Sequence, residues 1–597
     1  MLRSPDSRSR SIAILGAGAL AGLMASAACA PGAATRPRFA PSSPTALEAA
    51  LDSVIIDEMS RSHIPGAVVV VVRGGEVYLS KGYGYADLRD SVPVDPEQTI
   101  FRIGSISKVF TATALVQLAD RGRLRLDEDV NAYLPGWKVP APHGRPVTSE
   151  HLLGHTAGFD EINPGRKAAR PQDVLPLSQF LRERLVPRFA PGEHISYSTY
   201  GIALAGHLVE QVSGDRLSAY MEREIFTPLE MHRSSVGLVP EALRADAAVG
   251  YAYGPGGYAP EEWEHFHTYP ASDVNATAAD MAKFMIAHLQ GGRYGRGRIL
   301  SESAAARMHR THARNHPRLL GTAYGFFEGR LNGHPAIWHS GSMNGYAASM
   351  WLWPEQGTGV FIAANREVAS LEQRVVRRVA ARMLPRVDGL ETEDTPWTRP
   401  RVRDDMGRFA GRYRWDAWCH SCTGERGYVP RTLEVTVSDD STIAFWGGEW
   451  GQVEPLLFRL MNGQLDYGEM YVAFRADSAG RIVAMDNGPF RHERVEDAGV
   501  AARPSGDVQV DERVLAAYTG RYRLPDGLVV TVTREGGTLF GEAPGLSRLV
   551  LRARTPTVFT ATELDAELIF SANAGQHASQ FLLRRPGQPD VVAHRIE

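Results

Sequence analysis

Along residues 46–383 the apolar positions change period several times, from every second residue to every third or fourth, which predicts mixed strands and helices. Residues 67–73 are a β-branched run that predicts a buried strand, and after Gly74-Gly75 the alternation over 76–80 predicts its hairpin partner. Two more strands are predicted at 347–353 and 359–364, followed by a helix over 369–383 with charges on its open face. Strands at both ends with helices between them imply one antiparallel sheet, closed by the two ends of the segment and carrying a helical insert.

Past residue 403 the pattern turns to short strands and turns. Phe409-Ala410-Gly411-Arg412-Tyr413-Arg414 recurs as Tyr518-Thr519-Gly520-Arg521-Tyr522-Arg523, and alternating Val/Thr segments follow at 433–437 and 528–532. The copies also end alike, in His492-Glu493-Arg494 and His594-Arg595. A shared start and a shared end define a tandem repeat over 404–500 and 508–597, each copy long enough for one small β-barrel or sandwich. Residues 387–403, with Pro396 and Pro400, read as the linker before it.

The N-terminus carries Arg3, Arg8 and Arg10, an apolar run over 12–28 and a small-residue end, Ala-Ser-Ala-Ala-Cys-Ala. That order predicts a secretory signal over 1–28, a short linker over 29–45, and export to the periplasm or beyond. Cys29 is a candidate lipid acceptor, so membrane attachment is expected only through it. Cys419 and Cys422 are the other two cysteines, and in an exported chain their C-x-x-C spacing predicts a local disulfide.

Of the 597 residues, 43% are hydrophobic and 22% charged, which gives a foldable core and excludes a disordered chain. The net charge of -3 supplies no basic field for nucleic acid. Only five lysines occur (Lys81, Lys108, Lys138, Lys167 and Lys283), so a lysine inside a chemical motif is informative.

One such motif is Ser105-Ile106-Ser107-Lys108, which opens a helical pattern running to about Gly122. On a helix, positions i and i+3 share a face, so the Ser105 hydroxyl and the Lys108 ammonium can meet. The free N–H groups and positive dipole of a first turn suit a developing oxyanion. A buried lysine can have its pKa lowered enough to take the serine proton. Tyr197, ahead of an apolar helix over 202–212, can point its phenol into a cleft and act as general base, either as phenolate or through Lys108. In His339-Ser340-Gly341-Ser342, ahead of the strand from 347, Gly341 would let a substrate backbone approach, and the Ser342 N–H would complete an oxyanion hole with that of Ser105. His151 and His155 have zinc-ligand spacing without the glutamate and read as structural, while His309, His312 and His316 read as a solvated face. No metal or other cofactor is expected, and neither a nucleophile elbow nor a P-loop or dinucleotide fingerprint is present.

Taken together, Ser105-x-x-Lys108, Tyr197-x-Thr199 and His339-x-Gly341, in this order, resemble the class C β-lactamase and penicillin-recognising serine hydrolase family. That family also includes DD-peptidases, D-aminopeptidases and family VIII esterases. Gly82-Tyr83-Gly84-Tyr85-Ala86-Asp87, Leu152-Leu153-Gly154-His155-Thr156-Ala157-Gly158 and Ala276-Thr277-Ala278-Ala279-Asp280-Met281 match its usual wording as well. The resemblance implies an α/β (α+β) serine β-lactamase/transpeptidase-like catalytic domain over 46–386, with an antiparallel sheet and helical insert, followed by two all-β barrel-like domains. By the same resemblance Ser105 is the acylated nucleophile, Lys108 and Tyr197 move its proton, His339 and Gly341 form the third-motif wall, and Ser342 gives the second oxyanion N–H. Thr199 stands at a substrate-binding position where the family carries Asn, and a hydroxyl replaces only part of that amide's bonding. His339 stands where β-lactamases carry Lys, which points to the peptidase and esterase side. The repeats resemble the lipocalin-like barrels of D-aminopeptidases. The expectation is therefore an exported serine hydrolase acting through an acyl-enzyme on a small peptide, amide or ester. D-amino-acid-containing peptides and amides or small esters are favoured over efficient β-lactam hydrolysis, with specificity set in loops 160–190 and 238–272. The alternative is a decayed, penicillin-binding-like envelope protein whose repeats bind peptidoglycan or a protein partner.

Overall fold

The computed structural model describes residues 41–254, 256–387, 405–422, 432–495 except 462, 464 and 466, and 510–596 except 526, 544–548, 554, 562–565, 572–576 and 585–590. The predicted signal over 1–28, Cys29 and nearly all of the linker 387–403 lie outside the described residues. The linker predicted over 29–45 ends sooner than expected. A helix, Pro44–Arg61, starts inside it, with the Ser43 side chain capping the Ala46 N–H.

Seven strands form one antiparallel sheet in the order Phe327–Leu331, His334–Met343, Tyr346–Trp353, Thr358–Ala364, Gly66–Arg73, Glu76–Asp87 and Val92–Pro93. The two ends of the segment meet in its middle, where Val70 faces Phe361 and Ala67 faces Ala364. Val68, Val70 and Val72 belong to the core that holds Met281 and Phe284 of the helix Ala278–Leu289. Ala67, Val69 and Val71 belong to the opposite core, with Leu47 and Leu51 of the first helix and Val375 and Val379 of Ala369–Met383. A sheet covered on both faces has no side for water, which is why this strand is an unbroken valine run instead of an alternating one. The helical insert lies between Phe101 and His309 and contains Ser107–Asp120 and Thr199–Ser213 packed together, both buried on nearly every side.

Two closed eight-stranded barrels follow, one from Gly411–Trp415 to Phe490–Arg494 and one from Gly520–Arg523 to Val591–Arg595. The repeated sequence is their closing seam. Tyr413 pairs in register with Arg494, and Tyr522 with Arg595. Each guanidinium lies over the tyrosine ring, at 6.0 and 5.8 Å, and each phenol donates to the carbonyl four residues earlier, to Phe409 at 2.7 Å and to Tyr518 at 2.9 Å. Gly411 and Gly520 share φ 150°, and a Cβ on Gly411 would fall 3.1 Å from the Arg494 side chain. Among the described residues, no helix is long and apolar enough to cross a membrane.

Candidate active site

Gly104–Ile106 forms a 3-10 turn that runs into the helix Ser107–Asp120. Gly104 holds φ 52°, a value glycine adopts without strain. Ser107 locks the turn, donating to the Gly104 carbonyl at 2.6 Å and accepting the Val274 N–H at 2.9 Å. Lys108 is 1% exposed, and its Nζ donates to Ser105 Oγ at 2.9 Å and to the Ala271 carbonyl at 2.9 Å. Burial pushes its pKa down to about 7, with the Glu161 charge opposing and the Arg166 charge adding.

Tyr197 stands just before the helix Thr199–Ser213, whose Ser198 cap accepts the Gly201 N–H at 3.0 Å. Its phenol hydrogen-bonds Ser105, and Lys108 Nζ lies 4.9 Å from its ring centroid. The ring sits between His155, with centroids 4.8 Å apart, and Trp415, at 6.4 Å. Burial pushes the phenol pKa well up, so the neutral form prevails at neutral pH and, of the two routes open from sequence, the phenolate is disfavoured. His155 Nδ1 accepts the Ser198 N–H at 3.1 Å and so orients this segment, while His151 closes a capping box with Thr148.

His339, Gly341 and Ser342 lie ahead of the strand Tyr346–Trp353, as expected, and are themselves part of the preceding strand His334–Met343. The outer neighbour of that strand stops at Phe327, paired with Trp338, so the stretch from His339 keeps one strand partner and turns its open edge to the Ser105 turn. A Cβ on Gly341 would fall 2.0 Å from the Ile103 carbonyl oxygen and 2.9 Å from Ser105 N. The room expected for a substrate backbone is therefore filled by the serine's own turn, and glycine is required for that contact. The Ser342 backbone borders the same turn, its N 2.9 Å from where a Gly104 Cβ would stand, and its hydroxyl donates to Glu367. His339 is buried, with its ring 6.3 Å from that of Tyr197. Its Nδ1 donates to the Ser340 carbonyl at 2.6 Å, and Nε2 is buried without a partner among the described residues. Burial, reinforced by the Lys108 charge, pushes its pKa down to about 3, so the imidazole is neutral.

Thr199 is buried, and its backbone N–H donates to Glu161 Oε2 at 2.8 Å. Glu161 is not visible as a site residue in the sequence beyond its position in the loop 160–190. It is buried, accepts from Arg166 at 3.4 Å, and has its pKa pushed up by burial. Its neighbour Asp160 accepts the His420 N–H at 2.9 Å, the Ser421 N–H at 2.8 Å and the Ser421 hydroxyl at 2.6 Å. These donors belong to a loop of the first barrel, in which Cys419 and Cys422 are joined as a disulfide. Arg188 fixes the same loop, donating to Asp416 and, at 2.9 Å, to Glu493. Burial alone would raise the Asp416 pKa, but the His194 hydrogen bond and the Arg188 charge hold it well below the usual range. Asp416, His420 and Glu493 bring ligand atoms within 4.8 Å of one another, yet Arg188 bonds both carboxylates and already supplies the positive charge. No local signal announces this docking, since its partners lie more than 200 positions apart.

His309, His312 and His316 do not share the expected solvated face. His309 Nε2 bonds the buried His288 at 3.0 Å, His312 stacks on Tyr324 with centroids 3.5 Å apart, and all three are only partly exposed.

Residues 51–382 match the model of the Beta-lactamase family. The chain is 31% identical over 376 residues to penicillin-binding protein 4 of Amycolatopsis lactamdurans, covering 59% of this chain and 93% of that one. It is 26% identical over 323 residues to protein flp of Staphylococcus aureus, covering 53% of this chain and 62% of flp. Among solved structures, SurE shares the fold with a TM-score of 0.54 at 21% identity, covering 76% of this chain and 100% of SurE. SurE with D-Leu matches with a TM-score of 0.53 at 20% identity over the same shares.

Proposed function

The chain belongs to the Beta-lactamase family of serine hydrolases, and from that starting point we propose that it is an exported enzyme acylated on Ser105 that cleaves D-amino-acid-containing peptides or amides, or small esters. The observation that carries the acyl-enzyme is the 2.9 Å contact between Lys108 Nζ and Ser105 Oγ in a lysine whose burial leaves it available as a base near pH 7. Ser105 attacks the substrate carbonyl as Lys108 takes its proton. The neutral Tyr197 phenol hands a proton to the leaving group and is resupplied from Lys108, and water then resolves the ester. The Ser105 and Ser342 N–H groups stabilise the oxyanion, and His339 Nε2 accepts from the substrate.

Thr199 brings no side-chain amide, and its backbone N–H is already engaged by Glu161, which argues against efficient penicillin hydrolysis. Preference for D-amino-acid substrates rests on the order of one catalytic unit and two barrels, which resembles D-aminopeptidases. D-Leu amide is a suitable first substrate, given the ligand in the SurE structure. Export rests on the order of charged, apolar and small residues over 1–28, and a mature chain starting after about residue 28 is the expected result of N-terminal sequencing.

The experiment is labelling with an active-site phosphonate or penicillin probe. The wild type should be labelled, while Ser105→Ala should not, with thermal unfolding unchanged; equal labelling of the variant overturns the assignment. In a panel of chromogenic cephalosporin, short acyl ester, D-amino-acid amide and L-peptide, the highest kcat/KM is expected for the D-amide or the ester. A folded wild type that no probe labels would favour a binding protein instead.

A further inference from the structure

Toward one end of the seven-stranded sheet Ser342 faces Ala347, and Ala347 faces Ala364, the last residue of its strand. The chain that leaves this row, 365–367, is tied down as it goes. Asn365 is fully buried, accepting the Gly66 N–H at 2.7 Å and donating to the Tyr85 carbonyl at 3.0 Å. Arg366 is engaged by the Ser62 carbonyl and lies over the Tyr253 ring at 5.8 Å. Glu367 follows at an exposed position beside Ser342, whose hydroxyl donates to its carboxylate. We propose that Glu367 determines specificity as a charge filter at the mouth of the Ser105 cleft, turning away substrates that carry a carboxylate close to the scissile bond and favouring neutral or cationic ones.

The placement carries the inference, which rests on the acyl-enzyme reading of Ser105. A substrate whose oxyanion reaches the Ser342 N–H lies close to the carboxylate that the same residue's side chain holds. Glu367 stands just before the helix Ala369–Met383, whose N-terminus favours negative charge, but among the described residues its hydrogen bond is to Ser342 and not to a helix N–H. No cation among the described residues pairs with it. The cations near Ser105 belong to the helical insert, where Lys108 is buried and Arg166 bonds Glu161. In a peptide the free ammonium on the acyl side and the terminal carboxylate on the leaving side both lie a few bonds from the reacting carbonyl. A fixed charge about 7 Å from either, at a partly exposed site, changes a rate by roughly three- to fifty-fold. A peptide cleaved at its C-terminal residue presents such a carboxylate, and so does a penicillin or a cephalosporin. D-Amino-acid amides and small neutral esters do not, so the filter narrows the substrate class to these.

The test is the rate at which the full chain is labelled on Ser105 by three alkylphosphonates that share one nitrophenyl leaving group. They differ only in a carboxyethyl, carbamoylethyl or trimethylammonioethyl chain, and each rate is divided by that of the same reagent with hydroxide. In the wild type the ammonium reagent should be fastest and the carboxylate slowest, at least about five-fold behind the neutral one. Glu367→Gln should raise the carboxylate-to-neutral ratio about five-fold or more, and Glu367→Arg should invert the order. Ratios to the neutral reagent cancel any effect of the substitutions on the fold or on Ser342. Raising the ionic strength from about 10 mM to about 1 M should shrink the wild-type spread, because exposed charges are screened. A wild type that does not discriminate against the carboxylate, or ratios that Glu367→Gln leaves in place, overturns the filter and leaves the acyl-enzyme standing. Labelling by none of the three overturns the acyl-enzyme itself, and the filter with it.

Discussion

In the second barrel only residues 524–528 separate the first two strands in sequence, and a backbone hydrogen bond of 2.8 Å joins the Leu524 N–H to the Leu528 carbonyl. In the first barrel residues 416–431 separate the same two strands in sequence, and the described part, 416–422, is the disulfide loop that Asp160 and Arg188 hold beside the Ser105 cleft. The seam, the tyrosine and its arginine are the same in both. The barrel is thus a scaffold that closes by itself, and one lengthened hairpin turns a copy of it into a wall of the cleft. The first barrel is held elsewhere too, by Tyr467 stacked on Trp338 at 5.7 Å and by the buried Glu469, which accepts the Leu320 N–H at 2.7 Å.

The contrast breaks most readily at Asp416. Asp416→Ala takes from His194 its buried carboxylate and leaves Arg188 only the half-buried Glu493, and breaking a buried pair in this way typically costs about 3–5 kcal/mol. Undocking of the loop should lower kcat/KM for the D-amide ten-fold or more, read alongside thermal unfolding. Unchanged kinetics would show that the loop is not part of the cleft.

The pH profile sharpens the link between the loop and the chemistry, because Glu161 follows the residue that holds the loop. Lys108 has a pKa depressed to about 7 and must be neutral to act, so kcat/KM should rise with pH through that value. Glu161 favours the Lys108 ammonium, so Glu161→Gln should move the acidic limb to lower pH; a limb that stays in place removes Glu161 from the electrostatics of the site.

A smaller effect is expected from Cys419→Ser combined with Cys422→Ser. Asp160 still receives three hydrogen bonds from the loop, so kcat/KM should fall about two- to five-fold, the disulfide closing only a very short loop. The smallest effects compare the seams. Tyr413→Phe removes the buried hydrogen bond to Phe409, and Tyr522→Phe removes the one to Tyr518 together with longer contacts to Ala578 and Arg595; each should cost about 1 kcal/mol by denaturant unfolding, with activity unchanged in the second.

How much of this was legible from residues alone follows from the range of the interactions. The helix Ala369–Met383 and the hairpin that begins at Gly66 were readable because period and turn chemistry act over a few residues. The repeat was readable because its two ends meet in the seam, so Tyr413 and Arg494 left their mark at both ends of each copy. Ser105, Lys108 and Tyr197 were found as motif residues, and their separation in space is short. Glu161, Arg188 and the loop at Asp416 were not, since a carboxylate in a polar loop looks like solvated surface until a partner more than 200 positions away covers it. Gly341 was found for the wrong reason, as space for a substrate, when the space belongs to Ile103 and Ser105.

That glycine reverses the usual logic of a mutational scan. At the cleft positions that carry a side chain beyond Cβ, alanine substitution subtracts atoms and reports what that side chain contributed. At 341 alanine adds a methyl where a carbonyl oxygen already stands, 2.0 Å from the new carbon. The strand and the turn that carries the serine would have to part to admit it, and with them the two backbone N–H groups expected to face the oxyanion. The most demanding position in the cleft is thus one whose contribution is an empty volume, and a survey that ranks residues by what their side chains touch would pass over it.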